Sequence, residues 1–311
     1  MIKYLIIQLD DTAVSYCHYP VAKTEPRLIP LDNLRHGILW AMKENATVQF
    51  VYPSHRLPDE YHAVIESIDH AKIVPARCED TKLLDTADVV VIDGTAEVAG
   101  LTICPHAAYV LRTSKEELLS AHDTITTLLA RVTRLNVVVT DVETFANGDI
   151  DRYRLLLDGL AKVVADEYAA GHRVQFNLLT DRLMLTDMNN CNAGHETIAL
   201  APDGRFYPCP AFYDSGEEDC SIDDLDLGLD IRNPQLYRLD HAPICRRCDA
   251  WQCRRCAWLN RRLTLEVNTP GRQQCLMAHV ERNASRSLLP LFSEASLPKI
   301  TYLDPFEISK N

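Results

Sequence analysis

The stretch Cys245–Cys256, CRRCDAWQCRRC, sets four cysteines and four arginines within twelve residues. Thiols packed at that density bind metal or do redox work in a reducing compartment. The neighbouring chain extends the pattern: of eleven cysteines, eight lie from Cys191 to Cys275, and the first 190 residues hold only Cys17, Cys78 and Cys104. Such clustering speaks for a metal site rather than a disulfide framework.

With 311 residues, 47% hydrophobic and 24% charged, the chain can bury one large core or two smaller ones. The N-terminal MIKYLIIQLDD reaches two aspartates after a few apolar residues, too short a run for a signal peptide or a membrane span. A cytoplasmic setting without membrane contact is the expectation. The net charge of −12 hides a contrast. Asp214 to Asp230 carries eight acids and no base, whereas His241 to Pro290 carries nine arginines against three acids. An arginine patch can bind nucleic acid, but no nucleic-acid motif accompanies this one and the rest of the chain is acidic. The arginines have a nearer task, which is to offset the negative charge of a thiolate-bound cluster.

The first 185 residues alternate strand and helix patterns. KYLIIQL, TVQFVYP, ADVVVIDG, AYVLRT, LNVVVTD and RVQFNLL read as strands. Between them, LDNLRHGILWAMKEN places Leu34, Ile38 and Met42 on one helical face, and PDEYHAVIESIDH turns Tyr61, Val64, Ile65 and Ile68 inward. Ser114 and Glu117 form a capping box before a helix carrying Leu118, Ile125, Leu128 and Val132. A long helix beginning at Asp151 ends at Gly171. Strands buried on both faces and joined by helices imply an α/β fold with a parallel sheet, open or partly closed as a (β/α) barrel. Near residue 185 the pattern changes to a hairpin, TIAL and RFYPC around Pro202-Asp203-Gly204, followed by the cysteines. We therefore expect an α/β domain over 1–185 and a small metal-stapled module over 186–311.

The cysteine spacing is Cys191-x12-Gly204-x4-Cys209, then Cys245-x2-Cys248-x4-Cys253-x2-Cys256, then Cys275. It resembles the SPASM module, the seven-cysteine auxiliary-cluster domain of radical SAM peptide-modifying enzymes, with the last two central spacings each one residue shorter than the usual form. Four-cysteine zinc sites also use CxxC pairs, but zinc ribbons separate their pairs by about 15 to 20 residues, against four here. The resemblance implies two 4Fe-4S clusters. One would be held by Cys245, Cys248, Cys253 and Cys275, and the other by Cys191, Cys209 and Cys256. Some relatives supply a further cysteine six residues after the first; here that position is Thr197. Either Cys220 fills the place or the site is open.

The radical SAM core that normally precedes this module carries a CX3CX2C loop after its first strand. Here DDTAVSYCHYP offers Cys17 alone, and no Gly-Gly-Glu motif follows the second strand. SAM binding is not expected. At closer range, LIIQLDDTAVSYCHYP, LIPLDNLRHGILWAMKEN, QFVYP and MNNCNAGHETIALAPDGRFYPCPAFY resemble the CXXX repeat peptide maturase family, a radical SAM/SPASM-like group lacking that motif. Its members are encoded beside short cysteine-repeat precursors, so the resemblance implies a precursor peptide as partner. Two roles follow: an accessory protein that serves a separate radical SAM enzyme, or a stand-alone peptide-modifying enzyme that uses an open auxiliary cluster. A zinc-stabilised structural or interaction protein is the third reading.

Other residues have plainer accounts beside functional ones. Asp10, Asp11, Cys17 and His18 crowd the end of the first strand, where α/β folds place sites but also where strands are capped. Asp141 and Glu143 could pair as acid and base or stand as loop carboxylates. Trp251 and Trp258 are placed to shield a cluster from water, and Arg246, Arg247, Arg254 and Arg255 to steer an acidic peptide. His106, His122 and His172 are isolated and receive no role.

Overall fold

The computed structural model describes residues 2–185, 191–216, 220–222, 224–225, 229–231, 233–250, 252–253 and 255–292. In chain order the strands and helices alternate: β1 Tyr4–Gln8, α1 Leu31–Glu44, β2 Thr47–Val51, α2 Asp59–Ile65, β3 His70–Pro75, α3 Thr81–Asp85 and β4 Val89–Asp93. There follow β5 Ala108–Thr113, α4 Lys115–Ser120, α5 His122–Leu129, β6 Arg134–Val139, α6 Asn147–Ala169, β7 Gln175–Phe176 and α7 Asp181–Met184. The remainder supplies β8 Thr197–Leu200, β9 Phe206–Tyr207, α8 Pro210–Asp214, α9 Ala257–Thr264 and α10 Arg272–Arg286. No helix among the described residues is long and apolar enough to cross a membrane.

Two compact units share this chain, one of 1–91 with 191–238 and the other of 92–190 with 239–311. The first is built on a sheet ordered β4-β3-β2-β1-β8-β9, parallel except for the β8–β9 hairpin. Its central strand β1 buries every residue after Tyr4, Gln8 included, as a parallel strand covered on both faces must. Helix α1 lies close on β8: a Cβ on Gly37 would stand 2.4 Å from Leu200 Cδ2. The hairpin turns at Gly204, whose φ of +82° favours glycine; an added Cβ would stand 2.5 Å from the Asn33 side-chain amide, which would have to shift.

The second unit pairs β5, β6 and β7 in parallel. Leu118, Ile125, Leu128 and Val132 are all buried as expected, but not on one helix: Leu118 is on α4, Ile125 and Leu128 are on α5, and Val132 lies in the segment that follows. The Ser114–Glu117 capping box is formed in both directions. Helix α6 buries Ile150, Tyr153, Leu157, Leu160 and Val164 and packs against α10.

The expected inward face of α1 needs one correction. Leu34 and Ile38 are buried, but Met42 is 63% exposed. Eight residues on from Leu34, at about 100° each, it has rotated roughly 80° off that face, and Ala41 takes the inner position. The strand β3 and the parallel pairing of β8 with β1 were not among the sequence expectations. The fold is α/β with a parallel-sheet core.

Candidate functional site

In the second unit, Cys245, Cys248, Cys253 and Cys275 line one cavity together with Leu239, Ile244, Ala250, Arg255, Pro270, Ala278 and His279. Local structure explains the convergence. Cys245 opens a 3-10 turn whose last residue hands on to Cys248, and the Cys248 sulfur accepts the Ala250 N–H at 3.4 Å. Cys275 projects from the first turn of α10, begun at Gly271, where the Gln274 side chain accepts the Gly271 N–H at 2.8 Å. His279 follows one helical turn later.

Burial governs the charge state of these thiols. It pushes Cys245 up to about 11, against the opposing pull of Arg255, and Cys275 up to about 12, with Cys245 and Cys248 adding to the rise. Cys253 is driven well up by burial and then by the neighbouring Cys275 and Cys245 thiols. Cys248 is raised by burial and eased by the Ala250 N–H. Thiols so held are poor nucleophiles; a bound metal deprotonates them outright.

Spacing discriminates between metals. A tetrahedral ion with Zn–S bonds of about 2.3 Å brings its sulfurs to about 3.8 Å apart. Among the described residues no three cysteine sulfurs lie within 4.8 Å of one another; the single group that tight is Cys248, Asp249 and His279. Asp249 is already engaged, paired with Arg282 and, at 3.5 Å, with Arg286. The four cavity thiols share their lining with Arg255 and Ala278.

Cys256 has a structural duty as well. It caps α9, its sulfur accepting the Leu259 N–H at 3.4 Å. Trp258 is buried on α9 under the Arg262 guanidinium, 4.9 Å from its ring centre. Trp251 and Arg254 lie outside the described residues. Arg246 and Arg247 are exposed, whereas Arg255 is buried.

In the first unit, Cys191 is exposed, Cys209 half-buried and Cys220 buried. The Tyr16 phenol lies within electrostatic reach of Cys17, Cys209 and Cys191; Cys220 stands instead near Tyr207. Asp10 turns back on its own chain, accepting from the Thr12 N–H at 2.7 Å and the Thr12 hydroxyl at 2.5 Å. Asp11 accepts from Tyr213 at 2.5 Å and pairs with Arg27 at 2.9 Å. Lys23 sits over the Tyr213 ring, 2.8 Å from its centre. Asp214, buried, accepts from the Gln8 amide at 3.1 Å, and burial pushes its carboxyl up to about 7.

Asp141 and Glu143 each have a different partner: Asp141 accepts the Lys115 N–H at 2.7 Å and Glu143 pairs with Arg262. His122 and His172 pair with Asp123 and Glu167, and His106 is exposed. The residue that sequence reasoning missed is His279. Its signal was Cys-x3-His, Cys275 to His279, which on a helix puts both side chains on one face.

No family model and no curated protein matches the chain. Solved structures do. Native anSMEcpe with bound AdoMet and Cp18Cys peptide is similar with a TM-score of 0.65 at 10% identity, over 94% of this chain and 99% of that one. The same protein with bound AdoMet alone gives 0.61 at 11% identity over the same shares. Streptococcus suis SuiB bound to precursor peptide SuiA gives 0.43 at 13% identity, over 75% of this chain and 65% of that chain. The likeness to anSMEcpe extends over nearly the whole of both chains and shows that they share a fold.

Proposed function

We propose that the chain is an accessory iron-sulfur protein in the maturation of a cysteine-repeat peptide, binding the precursor, passing electrons to a separate radical SAM enzyme, or both. The observation that carries this reading is the convergence of Cys245, Cys248, Cys253 and Cys275 on one cavity. It occurs in a fold shared with anSMEcpe, in a chain whose first strand is followed by Cys17 alone. That anSMEcpe, a structural neighbour, is seen with AdoMet and a peptide bound together supports peptide binding on this fold.

Cys245, Cys248, Cys253 and Cys275 would hold one 4Fe-4S cluster, and Cys191, Cys209 and Cys256 would supply three ligands of the other. Bound there, clusters supply one-electron transfer at potentials set by surrounding charge and hydrogen bonds. The chain's part is to surround them: Arg255 beside Cys245, and Arg182 and Arg282 within electrostatic reach of Cys248, offset thiolate charge. The fourth position of the second cluster is left for a thiolate of the precursor. Such binding is favourable at neutral pH because the metal lowers the thiol's pKa, and the exposed Arg246 and Arg247 attract an acidic leader.

The test is anaerobic binding of precursor peptide to the iron-loaded protein. Peptide in which every cysteine is serine should bind more weakly, and Cys220→Ala should leave iron content and affinity near wild type. Affinity that ignores the serine replacement removes peptide thiol ligation, and a degraded cluster in Cys220→Ala makes that residue the fourth ligand.

A further inference from the structure

His279 is the one imidazole lining the cysteine cavity among the described residues. It is 1% exposed, and its Nε2 lies 3.4 Å from the Cys248 sulfur, within the range of a hydrogen bond to sulfur. Packing alone accounts for a buried histidine on α10, but not for a ring nitrogen aimed at a thiol that has three other thiols around the same space. Ligation of a single ion through Cys248, Asp249 and His279 is the competing account, and it requires Asp249 to leave Arg282 and Arg286, with which it is paired.

The chemistry of the pair fixes its direction once Cys248 is bound to metal. A coordinated cysteine is a thiolate and can only accept. The facing Nε2 must then carry the proton, and an N–H donated to an anionic sulfur is a charge-assisted bond. Withdrawing electron density from a cluster sulfur favours the reduced state, so hydrogen bonds of this kind raise the potential. Helix geometry holds the donor in place: Cys275 and His279 are one turn apart on α10. The helix is itself anchored by Glu281, which accepts from Tyr153 on α6 at 2.8 Å and from Arg182 on α7 at 2.7 Å.

We infer that His279 is a positioning residue that donates its Nε2–H to the Cys248 sulfur and raises the reduction potential of the cluster held by Cys245, Cys248, Cys253 and Cys275. The inference rests on the iron-sulfur reading above.

The experiment is an anaerobic redox titration followed by EPR on wild type, His279→Leu and His279→Gln. His279→Leu should keep its iron and shift one of the two cluster signals to lower potential, by about tenfold in the oxidised-to-reduced ratio, or 59 mV for one electron. His279→Gln, whose amide can still donate, should recover part of the shift. An unchanged potential in iron-replete His279→Leu overturns the inference. Wild-type protein labelled with 15N-histidine gives a second readout independent of any variant. Pulsed EPR should show the weak coupling of a hydrogen-bonded nitrogen, and the strong coupling of a metal-bound one overturns the inference by making His279 a ligand. Wild type lacking iron and sulfide would sink the cluster reading itself, an outcome distinct from either result.

Discussion

Replacing Glu281 by leucine should destabilise the second unit severely and loosen the proposed cluster site. The Arg182 side chain is fully enclosed, and its guanidinium has two acceptors, Glu281 at 2.7 Å and the Leu178 carbonyl at 3.0 Å. Removing one member of a buried pair strands the other charge, at a cost of roughly 3–5 kcal/mol. Glu281 keeps 14% exposure and Arg182 retains its carbonyl, so the lower end, about 3 kcal/mol, applies. The lost Tyr153 hydrogen bond adds about 1 kcal/mol. With a urea slope of about 3 kcal/mol/M, the midpoint falls by about 1 M or slightly more. Arg182→Met combined with Glu281→Leu removes the stranded charge and should recover about 2 kcal/mol relative to the single variant. The assay is urea unfolding by circular dichroism, read beside iron retention against a chelator, since α10 carries Cys275 and His279. A midpoint within 0.2 M of wild type for about 0.5 kcal/mol of loss, or a double variant no more stable than Glu281→Leu, would refute the reasoning.

Three further outcomes can be measured. Asp214, raised from 3.8 to about 7 by burial, holds a proton in the folded state that the unfolded chain releases. Its contribution is therefore present below about pH 4 and lost as pH rises towards 7, by at most about 4 kcal/mol. Asp214→Asn should flatten the pH dependence of the unfolding midpoint between pH 4 and 8, and an unchanged slope would contradict this. Gly204→Ala forces a β-carbon into a left-handed position against Asn33; a loss of about 1–2 kcal/mol is expected by urea titration, and a neutral change would show that the hairpin relaxes. Lacking the three-cysteine loop, the purified chain with dithionite and SAM should yield no 5′-deoxyadenosine, as read by chromatography; its appearance would overturn the accessory reading.

What the sequence made legible follows the strength of local signals. Apolar runs such as Leu5–Ile7 and Val137–Val139 read as buried strands and are, and the Ser114–Glu117 box and the Gly204 turn are set by chemistry within a few residues. The pairing of β8 with β1 joins residues almost two hundred positions apart, and no local pattern encodes it. Strand β3 passed unnoticed because His70, Ala71 and Lys72 dilute its apolar end. The resemblance to the SPASM module grouped Cys245, Cys248, Cys253 and Cys275, and these four line one cavity. His279 was missed because its one local signal, the Cys-x3-His spacing from Cys275, depends on the helix α10 that carries both residues. Only the folded position of Cys248 gives it meaning.

The central claim is that seven spaced cysteines hold iron-sulfur clusters. Iron and acid-labile sulfide, determined on anaerobically purified protein together with an EPR spectrum of the reduced state, test it most directly. Two 4Fe-4S clusters predict about eight irons and about eight sulfides per chain. Stoichiometric zinc with no acid-labile sulfide would contradict the account and leave the cysteine module a structural staple.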